Sequence, residues 1–183
     1  MLALAYAARH PDRSGPIVLV GCGTFNRASR DKMLWNLIER TDATLKKRLK
    51  VLDDESLPPE EWVKKRFELL APLYIYEPNG EASRQAMENL DVRAHRETWE
   101  DMVRLQEAAV YPAAFSAIES PVLMIHGEYD PHPGRMIRDS LKPYLPQLGY
   151  VELERCGHQP WLEKQAAEIF FKILNDWLEL HLK

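Results

Sequence analysis

Two short segments contain the residue types that proton transfer requires: "HGEYDPHPG", His126–Gly134, and "ERCGHQPWLE", Glu154–Glu163. Asp130 lies three residues beyond Gly127, and His158 directly follows Gly157, so acid and histidine stand 28 positions apart (158 minus 130). An imidazole moves protons near neutral pH, and a carboxylate beside it fixes which ring nitrogen carries the proton and stabilises the imidazolium. Taken singly, each residue has an ordinary reading: Asp before Pro is a turn former, and one histidine at a helix start is a cap or a surface group. The pair gains weight because each member follows its own apolar strand segment, which puts both on one rim of a sheet. A competing use of the same residues is a metal cluster of His126, Asp130, His132 and His158, since imidazole and carboxylate are natural zinc ligands. His126 is expected on its strand, and Pro131 and Pro133 restrict the loop holding His132, so neither a metal site nor a cofactor is expected.

To position these loops, strands must end side by side. "PIVLV" (Pro16–Val20) is short, β-branched and apolar throughout, the pattern of a parallel strand covered on both faces. Strand character returns at "PVLMIHG" (Pro121–Gly127) and "GYVELERC" (Gly149–Cys156), with a helix expected over Met136–Tyr144 between them. Met1–Arg9 is an Ala- and Leu-rich helix that stops at His10-Pro11 and has no capping residue at its start. At the other end Ala166, Ile169, Phe170, Ile173, Leu174, Trp177 and Leu178 form one helical stripe to pack on the sheet. Thr24–Ala117 differs in texture, being helical, charged and dotted with Trp and Tyr. Pro58 and Pro59 ahead of Glu60 and Glu61 suit a helix start, and a loop follows at "EPNGEAS". The expected class is α/β: three parallel strands with flanking helices, residues 1–23 and 118–183, interrupted by a helical insertion at 24–117.

The stretches "YAARHPDR", "GPIVLVG", "SPVLMIHGEYDPHPG" and "CGHQPWLE" resemble the C-terminal part of the α/β-hydrolase fold family. The resemblance is to its capped group, which includes proline iminopeptidases, epoxide hydrolases and haloalkane dehalogenases. It implies that the insertion is a helical cap, that Asp130 is the catalytic acid after the seventh strand, and that His158 is the base after the eighth. Acid before histidine agrees with the order Ser, Asp, His of that class. Some members carry the acid after the sixth strand, but "GCGTFN" here has no Asp or Glu, which favours Asp130. In the family the helix matched by Met1–Arg9 follows Gly-x-Ser-x-Gly, so the resemblance implies a nucleophile and oxyanion donors preceding Met1 and none in this chain. Ser14, Ser140 and Cys22 are weak substitutes, Cys22 and Cys156 being expected as packed thiols. The expected function is hydrolysis of a small ester, amide or related substrate, with this chain inactive alone and the identity of the nucleophile, Ser or Asp, left open. The alternative is a non-catalytic binding or assembly module.

Bulk composition narrows the partners. The 183 residues are 45% hydrophobic with a net charge of -4, which offers no basic field to nucleic acid or anionic lipid. No apolar run approaches the roughly 18 to 20 residues that span a bilayer. Two distant cysteines suggest no disulfide framework, and a cytoplasmic location is expected. Trp35, Trp62, Tyr74, Tyr76, Trp99 and Tyr111 could line an apolar pocket, although packing between helices is the favoured use; Glu97, Glu100 and Glu107 have no claim to an amine over other surface acids. The family places a further strand beside "PIVLV", so association is expected there, either as a homodimer or by docking of an N-terminal half along 16–20.

Overall fold

Three short apolar segments pair side by side in the computed structural model, which describes residues 1–80 and 91–182. They are β1 (Ile17–Val20), β2 (Val122–Gly127) and β3 (Leu148–Leu153), all parallel and in the order β1-β2-β3. The register sets Val20 beside Ile125 and Gly127 beside Leu153, so the strands' carboxyl ends share one rim. Around them, among the described residues, lie α1 (Leu2–Arg9), α2 (Arg27–Arg40), α3 (Ala43–Asp54), α4 (Pro59–Leu70), α5 (Val92–Glu107), α6 (Gly134–Leu141) and α7 (Ala167–His181).

β2 is buried at all its positions, as expected of the apolar run Val122–Ile125 between two parallel neighbours, and it takes His126 into the interior with it. Its alternation feeds two cores. Val122 and Met124 pack with Leu4 and Ala7 of α1 and with Ile137 and Leu141 of α6; Leu123 and Ile125 pack on the other face with Leu153, Ala166 and Phe170. Val18 and Val20 of β1 are only partly buried, and β1 has no strand partner on the side away from β2 among the described residues. The stripe on α7 is narrower than the sequence suggests: Phe170 is buried while Ile169 is exposed.

The other expected boundaries shift for local reasons. α6 starts at Gly134 and ends at Leu141 rather than at Tyr144: Lys142 is still helical in backbone, but Pro143 has no N–H to continue the ladder. β3 ends at Leu153 because Arg155 adopts φ 49°, a left-handed conformation that no strand continues through.

Between β1 and β2 the chain is helical, and each helix start is encoded locally. Asn26, Asp42 and Asp91 cap α2, α3 and α5 by accepting the backbone N–H groups of Ser29, Leu45 and Ala94. α4 opens with Pro59 and carries Glu60 and Glu61 in its first turn. Phe25 and Phe115, near the two ends of this segment, meet edge to face at 5.5 Å inside the core beneath α1 and α6. Of the "EPNGEAS" loop, residues 81–83 lie outside the described residues. No helix among the described residues is long and apolar enough to cross a membrane.

Candidate active site

The loops after β2 and β3 leave the sheet at the same rim and meet at Asp130. Its Oδ2 accepts from His158 Nδ1 at 2.8 Å. Its Oδ1 accepts from both the backbone N–H and the ring Nδ1 of His132, each at 2.9 Å. His126, on β2, brings Nε2 to 3.3 Å from Oδ2 while donating to the His132 carbonyl at 2.9 Å. The acid side chain is fully buried, whereas His158 is 32% exposed and His132 13%. The buried acid thus holds an imidazole whose other edge reaches the surface.

These hydrogen bonds fix the chemistry of the rings. Because a carboxylate oxygen only accepts, Nδ1 of His158 and of His132 must carry the proton, and the Nε2 atom of each neutral ring keeps its lone pair. Burial alone would push the Asp130 carboxyl up. The hydrogen bonds from His132 and His158 overcome it and hold the carboxyl well below the usual carboxylate range. Burial pushes His126 down, only partly opposed by Asp130, so its ring is kept neutral; its Nδ1 has no hydrogen-bond partner.

Three neighbouring elements hold the cluster in place. Asn36 on α2 donates to the Pro131 carbonyl at 2.9 Å, and Arg40 on the same helix lies 3.8 Å from the Tyr129 ring centroid while donating to the Leu73 carbonyl. The Tyr74 ring meets His158 at 5.6 Å and His132 at 5.9 Å, and burial together with Asp130 pushes its phenol up. The two imidazoles stack at 4.9 Å. Gly21, just past β1, has φ +54°, and a Cβ there would lie 2.4 Å from the His158 carbonyl oxygen, so only glycine lets β1 exit beneath the histidine loop.

Asp130, His132 and His158 each offer a potential ligand atom within 4.8 Å of the others. The Asp130 oxygens and both Nδ1 atoms are already committed to one another in hydrogen bonds. Ser14 and Ser140 donate to the carbonyls of His10 and Ile137. Cys22 and Cys156 are buried, and burial pushes their thiols up to about 11 and about 12, far from the thiolate a nucleophile needs. Of the aromatics, Trp35, Tyr76 and Trp99 are exposed, and Tyr74 alone of the six touches the imidazoles. Glu97 and Glu100 pair with Arg93 and Arg96 along α5, and Glu107 is exposed.

No protein-family model and no curated protein matches the chain. Among solved structures, a serine hydrolase from the polyaromatic hydrocarbon-degrading bacterium Cycloclasticus zankles superimposes on 97% of this chain and 60% of its own, with TM-score 0.53 and 20% identity. The 2-hydroxy-6-oxo-6-phenylhexa-2,4-dienoate hydrolase of a Rhodococcus species matches 97% of this chain and 59% of its own, with TM-score 0.53 and 19% identity. MenH from S. aureus matches 100% and 65%, with TM-score 0.50 and 17% identity. The chain has a partial α/β-hydrolase fold. It spans less than two thirds of the length of each of these neighbours.

Within this partial hydrolase fold, sequence reasoning reached Asp130 and His158 and overlooked two companions. His132 entered only as a metal candidate, yet it is a second imidazole on the acid; its position two residues after Asp130, across a proline, is the spacing at which an Asp side chain bonds its own backbone two residues on. Glu163 stood inside a quoted motif with no role. It is fully buried and accepts three backbone N–H groups. No local spacing signals those partners, because two of them lie more than eighty residues earlier in the chain.

Proposed function

We propose that this chain is the acid- and base-bearing part of an α/β hydrolase acting on a small ester, amide or related substrate. The observation that carries the reading is the 2.8 Å contact between His158 Nδ1 and a fully buried Asp130, at the carboxyl rim of a parallel sheet. His158, through its free Nε2, takes a proton from the nucleophile or from a water, and Asp130 holds the ring in that tautomer and stabilises the imidazolium that forms. The nucleophile, Ser or Asp, comes from outside these 183 residues. Residues 24–117 act as a cap over the rim, tied to the acid loop by Asn36 and Arg40. The segment that brings the nucleophile adds its strand to the edge of β1 away from β2, which has no strand partner among the described residues.

The test is reconstitution. Supplying a nucleophile-bearing N-terminal part, in the same chain or as a second one, is expected to give p-nitrophenyl ester hydrolysis and fluorophosphonate labelling where the nucleophile is Ser. His158→Ala should abolish turnover. Hydrolysis that survives His158→Ala would overturn the assignment, and binding without hydrolysis in the reconstituted protein would favour the non-catalytic module. For the edge, light scattering on the chain alone is expected to show association, and a monodisperse monomer in dilute solution counts against it.

A further inference from the structure

The loop that carries His158 is fastened to residues 74–80, and the fastening converges on one side chain. Glu163 is fully buried; its Oε1 accepts from the backbone N–H of Tyr76 at 2.8 Å and of Gly157 at 2.7 Å, and its Oε2 accepts from that of Glu77 at 2.8 Å. Gly157 is the residue directly before His158. The His158 N–H itself donates to the Tyr74 carbonyl at 2.7 Å, and Asn79 and Lys164 add backbone bonds to Leu162 and Glu77, each at 2.8 Å. The approach is so close that a Cβ on Gly157 would lie 2.0 Å from the Tyr74 carbonyl oxygen and 2.7 Å from Glu163 Oε1.

We infer that Glu163 is a positioning residue that makes the seating of His158 against Asp130 conditional on the docking of the 74–80 segment. Its three donors belong to two stretches of chain that pair only at a single antiparallel bridge, Pro78 with Glu163, so its two oxygens extend a pairing that the backbone makes at one point. A Gln at this position would turn one acceptor into an NH2 group facing a backbone donor, leaving at least one buried N–H unpaired. With the clamp released, the histidine loop loses its hold on Tyr74 while the acid, bound by its own loop, stays in place. The segment over the rim thereby controls whether the base is assembled. The inference rests on the reading of His158 as the base, and its test reads a hydrogen bond rather than turnover.

The experiment is 15N NMR of the imidazole groups, with amide exchange, in the 183-residue chain and in its Glu163→Gln, Glu163→Asp and Gly157→Ala variants. In Glu163→Gln and Gly157→Ala the Nδ1–H resonance of His158 is expected to disappear into solvent exchange, and the amides of Tyr76 and Glu77 to exchange at least ~10-fold faster. The Nδ1–H resonance of His132, on the other Asp130 oxygen, and the protection of β2 should persist. Glu163→Asp, which keeps both acceptors on a shorter arm, should retain part of the His158 signal. Persistence of the His158 resonance in both disruptive variants overturns the inference. So does joint loss of the His158, His132 and β2 signals, or failure of all three variants to fold, since Glu163 would then serve general stability. A clamp that holds in a reconstituted protein that does not hydrolyse would sink the hydrolase reading and leave this one standing.

Discussion

The acid loop and the histidine loop leave neighbouring strands at the same rim, and they are built by opposite means. Asp130 is held chiefly from within its own turn: its N–H donates to the Gly127 carbonyl, and His126 and His132 approach from four residues before and two after. His158 is held from far away, by the Tyr74 carbonyl, by Glu163 acting through Tyr76 and Glu77, and by the close approach of Gly21 just past β1. A short loop can fix a carboxylate locally because backbone and side-chain donors two to four residues away already lie within reach. An imidazole that reaches the surface has solvent on one side, so fewer local neighbours can hold it, and more distant packing supplies the constraint.

The comparison predicts unequal responses. Asp130→Asn strikes both loops at once, because its amide presents an NH2 group to imidazole N–H donors in a buried site. It is expected to cost about 3 kcal/mol of unfolding free energy and to remove at least one of the Nδ1–H resonances of His158 and His132, since the one remaining oxygen cannot serve both rings as the carboxylate does; survival of both resonances would mean that the acid is not their common anchor. Gly21→Ala acts on the histidine loop alone, by placing a Cβ against the His158 carbonyl at a positive φ. The expected cost is about 2 kcal/mol, with the His132 resonance intact.

Acid titration comes next in size, and it belongs to the acid loop. His126 has a folded pKa below its ordinary value of 6.5, so as pH falls below 6.5 the unfolded chain binds the proton first and stability declines, by at most about 1.4 kcal/mol per pH unit. Asp130, with its folded pKa below 3.8, acts in the same direction: the stability it contributes is present above 3.8 and lost as pH falls further. Chemical denaturation at pH 7 and pH 5 should therefore differ in the parent chain and differ less in His126→Gln. Equal losses in both would assign the slope to other groups. The smallest effect is expected at Lys164→Ala, which removes an exposed ion pair with Glu77 but none of the buried clamp; its unfolding midpoint should match the parent's. A clear loss there would show that the surface of the histidine loop matters more than Glu163.

By itself, the sequence determined the α/β class of the chain, apolar strand segments around a helical stretch, and singled out Asp130 and His158. Apolar runs such as Val122–Ile125 can be buried only between neighbours, and Pro59 with Glu60 and Glu61 marks a helix start through contacts a few residues long. Asp130 and His158 stood out because each follows such a run. The left-handed turn at Arg155 was not legible, since nothing in its side chain demands it. Only the tertiary structure decided that His132 shares the acid with His158 and that Glu163 binds the histidine loop to residues 74–80. The reason is physical: a hydrogen bond to a backbone amide places no demand on the donor's side chain, so at Tyr76 and Glu77 the sequence holds no trace of a partner more than eighty residues away.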